Sequence, residues 1–538
     1  MVIPAKYCRT SRENLILAAS LTLMIVPVWI FTYFPTQDGP DHLNNAKIIY
    51  DIIFNKNSFF KDFYFVDFSS VTNSFTYALL AISIKIFGAN IAQKMMASIY
   101  IIFFVISVHY ALGNFKNRIY LFFPYIYSVF FNFGFFGFLY SICCFFLFHG
   151  TLWRWEKSRQ TKYIYYMLAI SIFTFLCHVF SLYMLIIYTT IRAGWIYYTE
   201  KYGSKNYLVP PPGISWKKLI FAPSLTLIPM FLLSFFSKEG FNLSHVAYAR
   251  KLKMLGGLLV NSSLYNHNKV EMLFSFLLSS VIFLNLINIL RRKEKRHNSK
   301  IEIIIFIVAL CSIYLILPDA FSSYYIDHRI NLYIYLALTL FIATSAINDS
   351  DIFYLKITSL SVCGALLCFN IYYYAQYNKN ISSYMSVAHC VPKESLVLSL
   401  SFAHKGISEG NKDLSDRIAP MEHASGYLAT INDLMTLDNY EADKQFSMVK
   451  FKPQMNPNKI IGNLDDAFYA QDKLDIGNYY LATKKPIQYL ILWGHGLHKY
   501  SDMAEKELSD AISHDYKLIC ASDDGYTQLY ELKNISVK

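Results

Sequence analysis

The sequence predicts an α-helical polytopic membrane protein of about eleven spans, followed by a small C-terminal α/β domain on the outer side. Composition is the first observation behind this. Hydrophobic residues make up 54% of the 538 and charged ones only 16%, with a mean hydropathy of +0.31, whereas soluble chains carry about 25% charged residues. The second is a series of apolar runs near bilayer length, separated by short basic stretches. The third is a change to the composition of a soluble domain from Ser382 onward. The boundaries follow as 1–375 for the membrane domain and 376–538 for the outer domain. The net charge of +12 does not point to nucleic acid, because many of the basic residues cluster between apolar runs, as in cytoplasmic loops.

Lys6, Arg9 and Arg12 precede an apolar run from Leu15 to Phe34. No small-residue cleavage site follows, so the expectation is an uncleaved helix with its N-terminus in the cytoplasm. The chain then enters Phe34-Pro35-Thr36-Gln37-Asp38-Gly39-Pro40-Asp41-His42 on the outer side. Gly39-Pro40 is a turn signal between two carboxylates. Asp38, Asp41 and His42 are therefore candidate catalytic residues, with helix capping by aspartate as the plain alternative. Apolar residues at Leu43, Ala46, Ile49, Tyr50 and Ile53 alternate with Asn44, Asn45, Lys47 and Asp51. That helical period predicts an amphipathic interfacial helix over His42–Phe54 with one wet face.

Candidate spans follow at Thr72–Phe87, Ile91–Leu112, Ile119–Phe133 and Phe135–Trp153. The basic stretch Arg154–Lys162 is predicted cytoplasmic, so one of these four must be re-entrant or merged with a neighbour. Tyr163–Tyr198 is too long for one span, and two short spans turning near His178 put that histidine at the outer face. Lys201–Lys218 is a cytoplasmic loop and Leu219–Phe236 crosses outward. Ser237–Asn268 becomes a polar outer loop carrying Arg250, Lys251 and Lys253, a basic patch suited to an anionic ligand. Lys269–Leu290 returns to Arg291–Lys300, where six Lys and Arg stand against Glu294. Ile301–Leu317 goes out, and a short outer loop begins at Pro318-Asp319 and ends at Asp327-His328-Arg329. Ile330–Ile347 and Ile352–Tyr374 complete the crossings.

In the tail, Leu396–Phe402 and Ile487–Trp493 read as buried strands and Glu505–Ile512 as a helix. Lys517–Ala521 and Gln528–Leu532 bracket Asp523-Asp524-Gly525, a hairpin signal. Six of the nine cysteines lie in apolar runs as packing residues. Cys390 and Cys520 are the tail's only pair, and outside the cell such a pair can bond, although the spacing does not decide it.

The outer loops together offer carboxylates for proton abstraction and cations for phosphate. His178, Arg250, Lys251, Lys253, Asp327, His328 and Arg329 are the candidate substrate-binding residues. With Asp38 and Asp41 just after the first span and the His42–Phe54 helix behind them, the chain resembles the C-type glycosyltransferase (GT-C) superfamily, in which an acidic residue follows the first span and interfacial helices come next. The Phe75-Thr76-Tyr77 to Ile86-Phe87-Gly88 helix, Pro318-Asp319, Leu437-Asp438-Asn439-Tyr440-Glu441 and Leu490-Ile491-Leu492-Trp493-Gly494 also resemble bacterial members with an Asp-Gly-Pro-x-His loop. Many members carry adjacent acids, Asp-Glu or Asp-Asp, where this chain has Asp-Gly-Pro-Asp-His.

The resemblance implies an inverting transfer of a sugar from a polyprenyl-phosphate donor to an envelope glycan, lipid or protein acceptor. It places the chain in the bilayer of a bacterial inner membrane. Asp38 would be the base, and Asp41 and His42 would position the acceptor or a metal. Arg329 and the 250–253 loop would hold lipid phosphate. No cofactor is required, and a divalent metal ion stays open. A transporter or flippase of a lipid-linked glycan would need polar residues in mid-span, which are few here. A non-catalytic scaffold is the third alternative.

Overall fold

The computed structural model describes residues 6–55, 58–202, 248–291, 301–316, 325–444, 447–462, 464, 474–497 and 502–533. The expected span at Leu219–Phe236, most of the loops at 201–218 and 291–300, and Pro318-Asp319 lie outside the described residues. Six helices among those described are long and apolar enough to cross a membrane: Ala89–Tyr125, Phe136–Ser158, Val179–Tyr198, Val270–Arg291, Ile326–Thr344 and Asp349–Cys390. Asn14–Trp29, Ser74–Phe87, Lys162–Cys177 and Ile301–Ile316 are shorter apolar helices.

The Ile119–Phe133 candidate is not a helix of its own. Residues Gly113–Tyr125 continue the preceding helix as a tighter 3-10 segment, and Val129–Phe133 is a five-residue helix. Pro124, which has no N–H to donate, lies within the 3-10 segment. The break expected in the 163–198 run is present. One helix ends at Cys177, His178 is extended, and the next begins at Val179. Two expected loops are helical instead. Tyr248–Leu259 is a helix within the expected 237–268 loop, and Asp327, His328 and Arg329 form the first turn of Ile326–Thr344.

The chain divides into two compact units. The first comprises residues Met1–Val26, Ile99–Phe131 and Phe136–Phe369. Its core is aromatic: the Phe145 ring stacks on Phe306 at 5.9 Å and meets Tyr333 edge-on at 5.3 Å. Arg192 is buried between Glu156, 2.8 Å away, and Glu302, 2.6 Å away. Removing Arg192 would leave two buried carboxyls without their cation, and losing such a partner typically costs about 3–5 kcal/mol.

The second unit comprises Pro27–Ser98, Asn132–Phe135 and Asn370–Lys538, so it takes in more than the tail. Its main sheet has the order β3-β2-β5-β7-β6, with β2 at Leu396–Ser401, β3 at Met435–Thr436, β5 at Tyr489–Trp493, β6 at Tyr516–Ala521 and β7 at Thr527–Leu532. β3, β2 and β5 are parallel, and β7 and β6 form the antiparallel hairpin expected around Asp523-Asp524-Gly525. The fully buried runs in β2 and β5 are those of strands covered on both faces. The helix expected at Glu505–Ile512 extends over Asp502–Asp515. Cys390 and Cys520 are joined in a disulfide. A second ribbon pairs β1 (Tyr64–Val66) antiparallel with β4 (Val449–Phe451), tying residues near the first helices to the tail.

The helix after the Asp turn differs from expectation in what its polar face does. It runs Gly39–Tyr50 and continues as a π-helical turn over Asp51–Asn55. Asn44, Asn45 and Asp51, expected to face water, are 1%, 0% and 2% exposed. Asn45 and Asn439 exchange side-chain hydrogen bonds, and Lys47 bonds to Asp51 and Asp433. The polar stripe was a packing surface for the tail.

Candidate active site

The Asp38–His42 turn is held from three directions within the second unit. Gln37 N–H donates to the Asn132 carbonyl and Asp38 N–H to the Phe133 carbonyl, at 3.0 and 2.9 Å. Tyr427 donates to the Phe34 carbonyl at 2.6 Å, and Gln93 donates to Thr36 Oγ1 at 2.7 Å. Gly39 is needed where it stands, since a Cβ there would lie 2.0 Å from Thr36 Oγ1 and 2.1 Å from Gln93 Nε2. Gly426, in the helix Ser425–Asn432, lets that helix approach the turn; a Cβ would sit 2.4 Å from the Pro40 carbonyl oxygen.

Asp38 occupies the N-cap of Gly39–Tyr50, yet its side chain makes no capping bond. Its Oδ2 instead accepts from the Tyr440 hydroxyl at 2.8 Å. The Tyr440 ring stacks on His423, with centroids 4.4 Å apart and planes 19° apart. His423 Nδ1 lies 3.6 Å from Asp41 Oδ2. Asp41 is fully buried, and among the described residues neither of its oxygens has a hydrogen-bond partner. Buried polar atoms are nearly always bonded, so a carboxyl kept in this state calls for an explanation. Burial and then the charges of Asp438, Glu441, Asp38 and Glu422 push its pKa well above the ordinary carboxyl value.

His42 meets Glu441 through Nδ1, 3.0 Å from Oε1. Glu441 Oε2 accepts from Tyr77 at 2.6 Å and from Asn45 at 2.8 Å. Burial disfavours both charges of this pair. The partners outweigh it, so the His42 pKa is raised by Glu441 and Asp38, and that of Glu441 is lowered by His42, Tyr77 and Asn45. Burial takes His423 the other way, to about 3, with Glu441 opposing and His42 and Lys444 reinforcing the fall. Asp438 accepts from Ser425 at 2.5 Å, and burial pushes its pKa up to about 6 against that bond.

The position of this cluster in the sheet has a simple origin. Asp438 to Glu441 follow the carboxyl end of β3, and Glu422 and His423 lie on the connection that leaves the carboxyl end of β2. Ligand sites in parallel sheets form outside the carboxyl ends of the strands. Asp38, Asp41 and His42 are brought together with Asp438, Tyr440 and Glu441. Sequence reading placed the latter three only within a familiar segment and missed Glu422 and His423. Tyr440 is 402 residues from Asp38, and no local period signals such a pairing.

The other predicted residues lie in the first unit. His178 and Arg329 both pack on Phe138, the His178 ring at 5.7 Å and the Arg329 guanidinium at 5.2 Å from its centroid. His328 Nε2 is 4.0 Å from Asp327 Oδ2. Lys253 is exposed on the Tyr248–Leu259 helix; the side chains of Arg250 and Lys251 lie outside the described ones. Among the described residues, the group of three potential metal ligands whose atoms all lie within 4.8 Å of one another is His389, Cys390 and Cys520, and not the Asp38 turn. Two of those three are the disulfide cysteines. Compared with known proteins, the sequence matches no family model and no curated relative.

Proposed function

We propose that this chain is a membrane glycosyltransferase of the GT-C type. It moves a sugar from a polyprenyl-phosphate donor to a hydroxyl or amine acceptor on the outer side of a bacterial inner membrane, with inversion. The observation that carries this is Asp41: a fully buried carboxyl without a hydrogen-bond partner among the described residues, beside Asp38 and the His42–Glu441 pair. Groups with strongly perturbed proton affinity gather where chemistry is done. Six helices of membrane length among the described residues supply the setting, and about eleven spans with a cytoplasmic N-terminus and an outer tail complete the proposed topology.

The carboxylates make the cluster electronegative. It favours a neutral or cationic acceptor and the positive charge that grows on the sugar, and it repels a lipid phosphate. Phosphate binding is therefore proposed for residues of the first unit, Arg329 foremost and then His178, Arg250, Lys251, Lys253, Asp327 and His328; arginine offers the forked donor that phosphate needs. The test is donor turnover. The purified protein, given polyprenyl-phosphate sugars and candidate acceptors, is expected to yield free polyprenyl phosphate and a glycoside of inverted configuration. Donor that binds and is never consumed would support a transporter instead.

A further inference from the structure

Glu441 is engaged on both oxygens: Tyr77 and Asn45 donate to Oε2, and Oε1 faces His42 Nδ1. Asn45 is itself fixed by its exchange with Asn439. An ionised carboxylate only accepts hydrogen bonds, so the proton of the neutral His42 ring resides on Nδ1 and the lone pair on Nε2. Tyr77 packs edge-on against the ring at 6.0 Å. The His42 side chain keeps 20% of its surface exposed, so with Nδ1 engaged it is Nε2 that is left to meet a substrate.

We infer that His42 is the proton acceptor of the transfer and that Glu441 is its positioning residue, an inference resting on the glycosyltransferase reading. The resemblance gives this role to Asp38, but Asp38 Oδ2 is already occupied by the Tyr440 hydroxyl. A free imidazole also matches proton transfer near neutral pH better than a free carboxylate does. The groups interacting with the ring are Asp38 at the N-cap of its own helix, Tyr77 from Ser74–Phe87, His423 from the connection after β2, and Glu441 from the segment after β3. Glu441 and Asp38 both favour the charged ring, so the imidazolium is stabilised as it forms. In the step, the acceptor O–H or N–H gives its proton to Nε2 and the freed electron pair bonds the anomeric carbon. The bond from that carbon to the phosphate oxygen breaks, and its pair departs with polyprenyl phosphate. The ring returns its proton to water.

The test joins two readouts on wild type, Glu441→Gln and His42→Ala. Acylation of His42 by diethyl pyrocarbonate, followed by peptide mass spectrometry from pH 5 to 9, reports the proton affinity of the ring without turnover. Donor turnover over the same range reports the reaction. The acidic limb of kcat/KM is expected to coincide with the acylation midpoint. Both should move down by about one pH unit in Glu441→Gln, and His42→Ala should lose 10²-fold or more while remaining folded. Turnover that survives His42→Ala, or a limb that stays put when the acylation midpoint moves, overturns the inference and returns the role to Asp38. A wild type that consumes no donor while the acylation midpoint still shifts overturns the transferase reading itself, and the inference with it.

Discussion

The Glu441 carboxylate meets His42 Nδ1 at 3.0 Å, across 399 residues of sequence. One partner comes from the turn after the first helix and the other from the segment after β3. Their meeting joins a short loop motif to a segment far along the chain through a part-buried carboxylate–imidazole pair.

Tyr440 is expected to matter more for rate than for stability. Its hydroxyl orients the Asp38 carboxylate at 2.8 Å, and a bond to a charged group is worth about 1.5–3 kcal/mol. Tyr440→Phe keeps the stacking on His423. Donor turnover should fall about tenfold or more, with a melting temperature close to wild type. Steady-state kinetics beside thermal unfolding checks this, and unchanged kinetics would show that the bond is incidental.

Asp41 should make stability depend on pH in the sense opposite to a salt-bridged aspartate. Its folded-state pKa lies well above the 3.8 of the free group, through burial first and the neighbouring carboxylates next. The folded state therefore holds the extra proton, and this group's contribution declines as pH rises from about 4 toward the folded-state value. Asp41→Asn removes that dependence. The stability of the variant relative to wild type should rise between pH 4 and pH 7.5, by up to about 1.4 kcal/mol per unit crossed. Unfolding curves at the two pH values measure it; a difference that does not change with pH contradicts the raised affinity.

Gly426 and Gly477 form a matched pair. A Cβ at Gly426 collides with the Pro40 carbonyl, whereas at Gly477 nothing lies within 4 Å. Gly426→Ala should destabilise by about 1–3 kcal/mol and displace the Asp turn. Gly477→Ala, in the helix Ile476–Thr483, should be neutral or stabilising by up to about 1 kcal/mol. Equal melting temperatures for the two variants would show that the approach of Ser425–Asn432 to the turn is loose.

The Cys390–Cys520 disulfide closes a loop with a sequence separation of 130. Reduction, or the double Cys→Ser variant, should lower stability by about 2–5 kcal/mol and alter gel mobility. No change of mobility on reduction would place the two thiols apart in solution.

Much of the second unit's sheet was legible because β2, β5 and the β6–β7 hairpin announce themselves locally, as apolar runs and as Asp523-Asp524-Gly525. The break at His178 was legible from span length. Asn44 and Asn45 misled for a physical reason. A polar stripe on a helix looks the same whether it meets water or packs against the tail, and for Asn45 it is Asn439 and Glu441 that replace the water. The pairing of β1 with β4, and of Asp38 with Tyr440, is long-range and leaves no period in either segment. Asp38, Asp41 and His42 could be named as candidates from a turn and a resemblance. What each carboxylate and ring does follows from neighbours that only folding brings.

The most direct test of the central claim, that this buried cluster performs sugar transfer, compares release of free polyprenyl phosphate by wild type, Asp38→Asn and Asp41→Asn, each checked for a folded state. We predict release by wild type and a loss of 10²-fold or more in both variants. Release that is undiminished in both, or a wild type inert toward every donor and acceptor pair, would contradict it.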